Sequence, residues 1–139
     1  MITITRTFEF CAGHRLYRPQ WSSEKNFEVF GLCSNPGGHG HNYTLQVSVQ
    51  GPINPETGMV INIDELHKIV TQHLIKEIDH KNLNTDVPWL KNILPTAEEL
   101  IECMWKRLVC LFQKDFPHLT LTKLDLNETA TNRITKTLG

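Results

Sequence analysis

The chain has 139 residues, a formal net charge of -1 and 21% charged residues, a length that supports one domain with a single core. No basic run advertises a face for nucleic acid, and no apolar stretch approaches the ~20 residues of a membrane span, so neither partner is expected. Four cysteines read as free thiols rather than as a disulfide framework, and a start of Met-Ile-Thr-Ile-Thr-Arg without a basic-then-apolar layout points to the cytoplasm.

Ile2 to Leu16 reads as a strand, because Ile2, Ile4, Phe8, Phe10, Ala12 and His14 share one parity and so one face. Tyr17 to Gly38 is expected to be a long irregular loop, unusual for a hairpin and therefore functional. Asn42 to Gln50 forms the partner strand, in which His39 and His41 share phase with Tyr43, Leu45, Val47 and Val49. Turn residues follow, then a short strand, Met59 to Ile63, and a helix with Asp64 as N-cap. That helix carries Leu66, Ile69, Val70, His73 and Leu74 at helical spacing, with His73 read as a packed core or interface residue. His67 and His118 read as exposed. Pro95-Thr96-Ala97-Glu98-Glu99 announces the second helix, with Thr96 as N-cap and Glu99 as its capping-box partner. Two strands, Leu119 to Asn127 and Arg133 to Leu138, complete an α+β fold. Its expected form is a four-stranded antiparallel sheet with two helices on one face, in ββααββ order.

Antiparallel pairing of the first two strands sets the end of one beside the start of the other, and His14, His39 and His41 then converge. Three imidazoles with no fourth protein ligand describe an open zinc site, the kind that acts on a substrate; iron and copper also accept such donors. Cys33 lies in the glycine-rich loop just ahead of His39. A thiol held near a metal-bound substrate and a cation can act as base or nucleophile. Asp79-His80 after the first helix can form a proton-transfer pair, although adjacent residues at a helix end usually diverge. Cys11, on the opposite parity of the first strand, is given no chemistry.

Several motifs in order resemble one family. They are Phe8-Glu9-Phe10-Cys11-Ala12-Gly13-His14-Arg15-Leu16; Cys33 with five residues between it and His39-Gly40-His41-Asn42-Tyr43; Asp79-His80-Lys81-Asn82-Leu83-Asn84; Pro95-Thr96-Ala97-Glu98; and Asn127-Glu128-Thr129. Together they resemble the 6-pyruvoyl-tetrahydropterin synthase / QueD (6-carboxytetrahydropterin synthase) family. The resemblance implies a tunnelling fold (T-fold) assembled as a homo-hexamer, a dimer of trimers, with active sites between subunits. It implies zinc on His14, His39 and His41, and a catalytic Cys33. It further implies that a neighbouring subunit contributes Asp79 and His80, that Glu128 anchors a pterin ring, and that Thr96 and Glu98 line the same pocket. The implied substrate is the pterin 7,8-dihydroneopterin triphosphate, and the activity is that of a lyase. Arg15, Lys25 and Lys81 are candidates for the triphosphate. The spacing between Cys33 and His39 resembles the biopterin-pathway branch; the 6-carboxytetrahydropterin branch for queuosine and a non-catalytic pterin- or metal-binding module are the alternatives. A cupin-like oxygenase would want a carboxylate ligand and more short strands.

Overall fold

The computed structural model describes residues 1–139. Strand β1 (Ile2–His14) pairs antiparallel with β2 (His39–Gly51), and the register runs unbroken from Ile2 opposite Gly51 to His14 opposite His39. β4 (Thr120–Thr129) adds to β2, and β5 (Asn132–Thr137) to β4, both antiparallel. The alternation that identified these strands also decides what they bury. Phe8, Phe10, Tyr43, Leu45, Val47, Leu124 and Leu126 face the helices, while Thr5, Thr44, Gln46 and Thr135 populate the other face. Leu45 and Leu124 are fully buried, so truncating either to Ala would cost about 2–5 kcal/mol.

The sheet has five strands where four were expected. The extra one is β3 (Lys81–Asn82), a two-residue strand lying parallel to Ala12 and Gly13 at the far edge of β1, giving the order β3-β1-β2-β4-β5. Two residues leave no alternation for a reader of sequence to find. The expected loop from Tyr17 to Gly38 is also more regular than its composition suggests, containing helix α1 (Ser23–Phe30) and a 3-10 turn, Gly31–Ser34. Polar anchoring holds α1 in place. Asn26, the buried residue of α1, accepts from the Arg18 backbone N–H at 2.6 Å and donates to the Arg18 and Ser22 carbonyls at 3.0 Å each.

Met59 to Ile63 is not a strand. Val60 and Ile61 are both buried, which breaks period-two alternation, and the segment instead closes a turn in which Asn54 N–H donates to the Met59 carbonyl at 2.9 Å. Helix α2 (Ile63–Val70) is capped by Asn62 rather than Asp64, because the Asn62 side chain captures the Asp64 N–H at 2.9 Å. A π-helical turn, Thr71–Ile75, joins α2 to the short α3 (Lys76–Ile78). Its extra residue per turn rotates His73 off the apolar stripe to the surface of the chain, so it is not the core residue that was one of the two roles expected for it. His67 departs in the other direction, half-buried and stacked on Phe8 with centroids 5.5 Å apart.

Helix α4 (Ala97–Asp115) begins at Thr96, whose hydroxyl accepts the Glu99 N–H at 3.2 Å. The reciprocal half of the capping box is absent, since the Thr96 N–H is taken by the Leu94 carbonyl at 2.8 Å. Leu100, Met104, Leu108 and Phe112 fill the space between α4 and the sheet. Arg107 ties α4 to the preceding segment, donating to Glu77 at 2.6 Å and to the His73 carbonyl at 3.2 Å. Both long helical segments thus cover one face of the sheet, as expected for this α+β class.

Candidate metal centre and active site

The unbroken β1–β2 register delivers His14 and His39 as direct cross-strand partners, and His41 follows two residues on with the same parity. Their Nε2 atoms meet. His14 Nε2 lies 3.1 Å from His39 Nε2, which in turn lies 3.0 Å from His41 Nε2. The rings do not stack; their planes cross at 75°, 89° and 90°, fanned about one point. A tetrahedral ion with arms of about 2.0–2.1 Å would separate its ligands by roughly 3.3 Å, close to what is found. The donor set therefore fits a metal ion, with one tetrahedral position left open.

His14 is almost wholly buried, and its Nδ1 lies 2.8 Å from the Pro95 carbonyl, to which Nδ1–H donates. That bond fixes the tautomer and leaves the Nε2 lone pair directed at the centre. Burial pushes His14 below the ordinary imidazole range, assisted by His39 and His41 and opposed by Pro95 and Glu128. Burial also lowers His41, against the raising charge of Glu128. Neutral imidazole is the form that binds a cation, so these shifts favour ligation.

Two further contacts hold the strand end. Asn84 forms a two-point clamp on Arg15, its Oδ1 accepting the Arg15 N–H at 2.7 Å and its Nδ2 donating to the Arg15 carbonyl at 2.8 Å. Gly38 has φ 67°, and a Cβ there would stand 2.8 Å from the His14 carbonyl oxygen, so the turn into β2 needs glycine. Cys33 sits half-buried in the 3-10 turn beside this strand end. Its carbonyl accepts the Leu16 N–H at 2.8 Å, and the next carbonyl, that of Ser34, accepts Arg15 Nε–H at 2.8 Å. The Cys33 thiol is not one of the clustered ligand atoms.

Asp79 and His80 do converge, despite adjacency. His80 adopts a left-handed backbone, φ 61°, which swings its ring back so that Nδ1 lies 3.0 Å from Asp79 Oδ1. The same carboxylate accepts the Cys11 N–H at 2.9 Å, and the His80 N–H donates to the Cys11 carbonyl at 2.6 Å. Desolvation raises Asp79, but the Cys11 N–H and His80 outweigh it and hold the carboxyl below the usual range. A cavity of about 310 Å³ runs from His80 and Lys81 over Gly13 and Gly40 to His41. Gly13 and Gly40 are cross-strand partners with neither at positive φ, so they act here by having no side chain.

Glu128 lines a second cavity of about 600 Å³ together with Gly40, His41, Asn42 and Arg133. Thr96 is committed to capping α4, and Glu98 is exposed on its first turn; neither lines the 600 Å³ cavity of Glu128.

The family model described as 6-pyruvoyl tetrahydropterin synthase matches residues 3–137. The chain belongs to that family. Among relatives, the 6-pyruvoyl tetrahydrobiopterin synthase of Homo sapiens is 41% identical over 129 residues, 93% of this chain and 86% of the relative. That of Drosophila melanogaster is 44% identical over 131 residues, 94% of this chain and 76% of the relative. In structure, the 6-pyruvoyl tetrahydropterin synthase of Caenorhabditis elegans superimposes with a TM-score of 0.87 at 33% identity, covering 99% of this chain and 96% of that one. The T-fold of the 6-pyruvoyl tetrahydropterin synthase family is thus the fold of this chain.

Sequence reasoning missed the Pro95 carbonyl, the Asn84 clamp and the contact of Cys11 with Asp79. A backbone carbonyl carries no signal of identity, whereas Asn84 stood in plain view at the end of the Asp79 to Asn84 motif.

Proposed function

We propose that the chain is a zinc-dependent 6-pyruvoyl-tetrahydropterin synthase, a cytoplasmic lyase that converts 7,8-dihydroneopterin triphosphate to 6-pyruvoyl-tetrahydropterin with elimination of triphosphate. The convergence of the three Nε2 atoms at 3.0–3.1 Å carries this reading, in a chain 41% identical to the 6-pyruvoyl tetrahydrobiopterin synthase of Homo sapiens. Bound at His14, His39 and His41, the ion would polarise the side-chain oxygens of the substrate and acidify the neighbouring protons.

The remaining work falls to the protein's own groups. Cys33 removes a proton from the dihydroxylated side chain, and His80, oriented by Asp79 at 3.0 Å, exchanges protons with its hydroxyls. Two carbinols become carbonyls as the ring is reduced and triphosphate leaves, so the redox change is internal. Glu128 accepts hydrogen bonds from the pterin amino and ring N–H groups, a planar donor pair suited to a carboxylate. Thr96 and Glu98 line the same pocket from a neighbouring chain.

That last role, like that of Asp79 and His80, requires a homo-oligomer, proposed here as a hexamer of two trimers. The two-residue edge strand β3 and the exposed edge of β5 support it, since open edges invite pairing. No helix is long and apolar enough to cross a membrane. Incubation with dihydroneopterin triphosphate and mass spectrometry of the product tests the reading: the 6-pyruvoyl compound is expected. The 6-carboxy compound would move the chain to the queuosine branch, and unchanged substrate would leave a binding module.

A further inference from the structure

We propose that Cys11, Asp79 and His80 form a second site, for a thiophilic divalent cation such as zinc or cadmium, separate from the three-histidine cluster. A thiol sulfur, a carboxylate oxygen and an imidazole nitrogen lie within 4.8 Å of one another there. Sulfur, nitrogen and oxygen donors at that spacing are the set a borderline-soft ion selects, and a catalytic-type geometry needs only three from the protein.

The backbone fixes the arrangement in advance. His80 N–H to the Cys11 carbonyl at 2.6 Å and Cys11 N–H to Asp79 Oδ1 at 2.9 Å lock the three residues to one point on β1, and the left-handed φ of His80 turns its ring toward them. The Cys11 thiol already points at the Asp79 carboxylate, to which it donates, and a cation would replace that proton. Cys11 lies on the polar face, half-buried and outside the core, and forms no disulfide. Within this chain the group is accessible, with the His80 side chain 78% exposed and the 310 Å³ cavity over Gly13 and Gly40 leading to it. The one nearby cation, Lys81, is exposed on a flexible stem and can turn away.

Binding here would remove the His80 ring and the Asp79 carboxylate from proton transfer, so excess zinc would inhibit; this consequence, unlike the site itself, rests on the function proposed above. The three-histidine cluster, buried and already converged, would fill first.

Cobalt(II) titration of the metal-free oligomer provides the test. Two equivalents per chain are expected, the second bringing a thiolate-to-cobalt charge-transfer band in the near ultraviolet. The band should persist in Cys33→Ser and vanish in Cys11→Ser, which should still bind the first equivalent. One equivalent only, or a band surviving in Cys11→Ser, overturns the proposal. Cadmium-113 NMR of the unmodified chain gives the same answer without a variant: two resonances, one shifted by a thiolate, are expected, and a single resonance refutes the site. In activity assays Cys11→Ser should need at least about tenfold more zinc for half-inhibition. Should the second cobalt bind while excess zinc leaves turnover unchanged, the site stands and the catalytic role of Asp79 and His80 falls.

Discussion

Two groups of site residues are anchored against the same strand, β1, by opposite means. His14, His39 and His41 are placed by a long antiparallel ladder, so their convergence follows from register and parity alone, and the core presses against one of them. Asp79 and His80 are placed by one left-handed residue and a two-residue edge strand, and they stay open to solvent. A ladder of many hydrogen bonds holds geometry against single changes; an edge held by a few bonds is free to serve a surface brought by another chain. The first design suits a ligand set, the second a group that completes its site on assembly.

The ladder cluster should show the larger losses. His41→Ala should lose metal and activity together, by about a thousandfold or more, since the polarising ion is worth several kcal/mol in the transition state. Metal analysis beside turnover checks this, and full metal content with normal rate would break the comparison. Cys33→Ala should retain metal and pterin binding and lose about 10²–10⁴-fold in kcat, the range of general acid–base help. Near-normal turnover would make Cys33 structural.

The edge cluster is tested by exchange. Mixing Cys33→Ala with His80→Ala subunits at equal amounts should restore about a quarter of the wild-type rate if each site draws one residue from each of two chains. Confirmed exchange without recovery would return the pair to its own chain. Asn84→Ala should weaken metal binding by about 10–100-fold while the fold persists, because the clamp on Arg15 supports the neighbouring ligand. Unchanged affinity by competition with a chelator would show that the ladder suffices.

Acid should give the smallest effect. Asp79 is held below its unfolded value of about 3.9, so its contribution to stability is present above that pH and is lost as pH falls through the folded pKa. Asp79→Asn should therefore flatten the acid limb of the stability profile below about pH 4, measured by denaturant unfolding, while leaving the first metal equivalent, held by His14, His39 and His41, unchanged at neutral pH.

Legibility divided along the same line. Parity on β1 and β2 identified both strands, the buried face and the convergence of His14 with His39 and His41, because alternation is a property of sequence. Nothing comparable marks β3, whose two residues owe their strand geometry to Gly13 and Ala12 alongside. The π-turn that expels His73 and the Asn26 anchor of α1 were equally hidden, being decided by tertiary fit and polar bonding rather than by apolar period. Asp79 and His80 were noticed as a pair, but the backbone twist that joins them lies in a dihedral no composition reveals. The contact with Cys11 depends on chain crossing the edge of β1, which local pattern cannot anticipate.

The excursion between β1 and β2 is closed at its base, by the Leu16 N–H to the Cys33 carbonyl, Arg15 Nε to the Ser34 carbonyl, and the turn at Gly38. Everything beyond that neck, α1 included, is mechanically insulated from the ligands. This segment is therefore where descendants of the chain can gain or lose residues, and where an engineer can graft a new recognition loop, with the three imidazoles left in place.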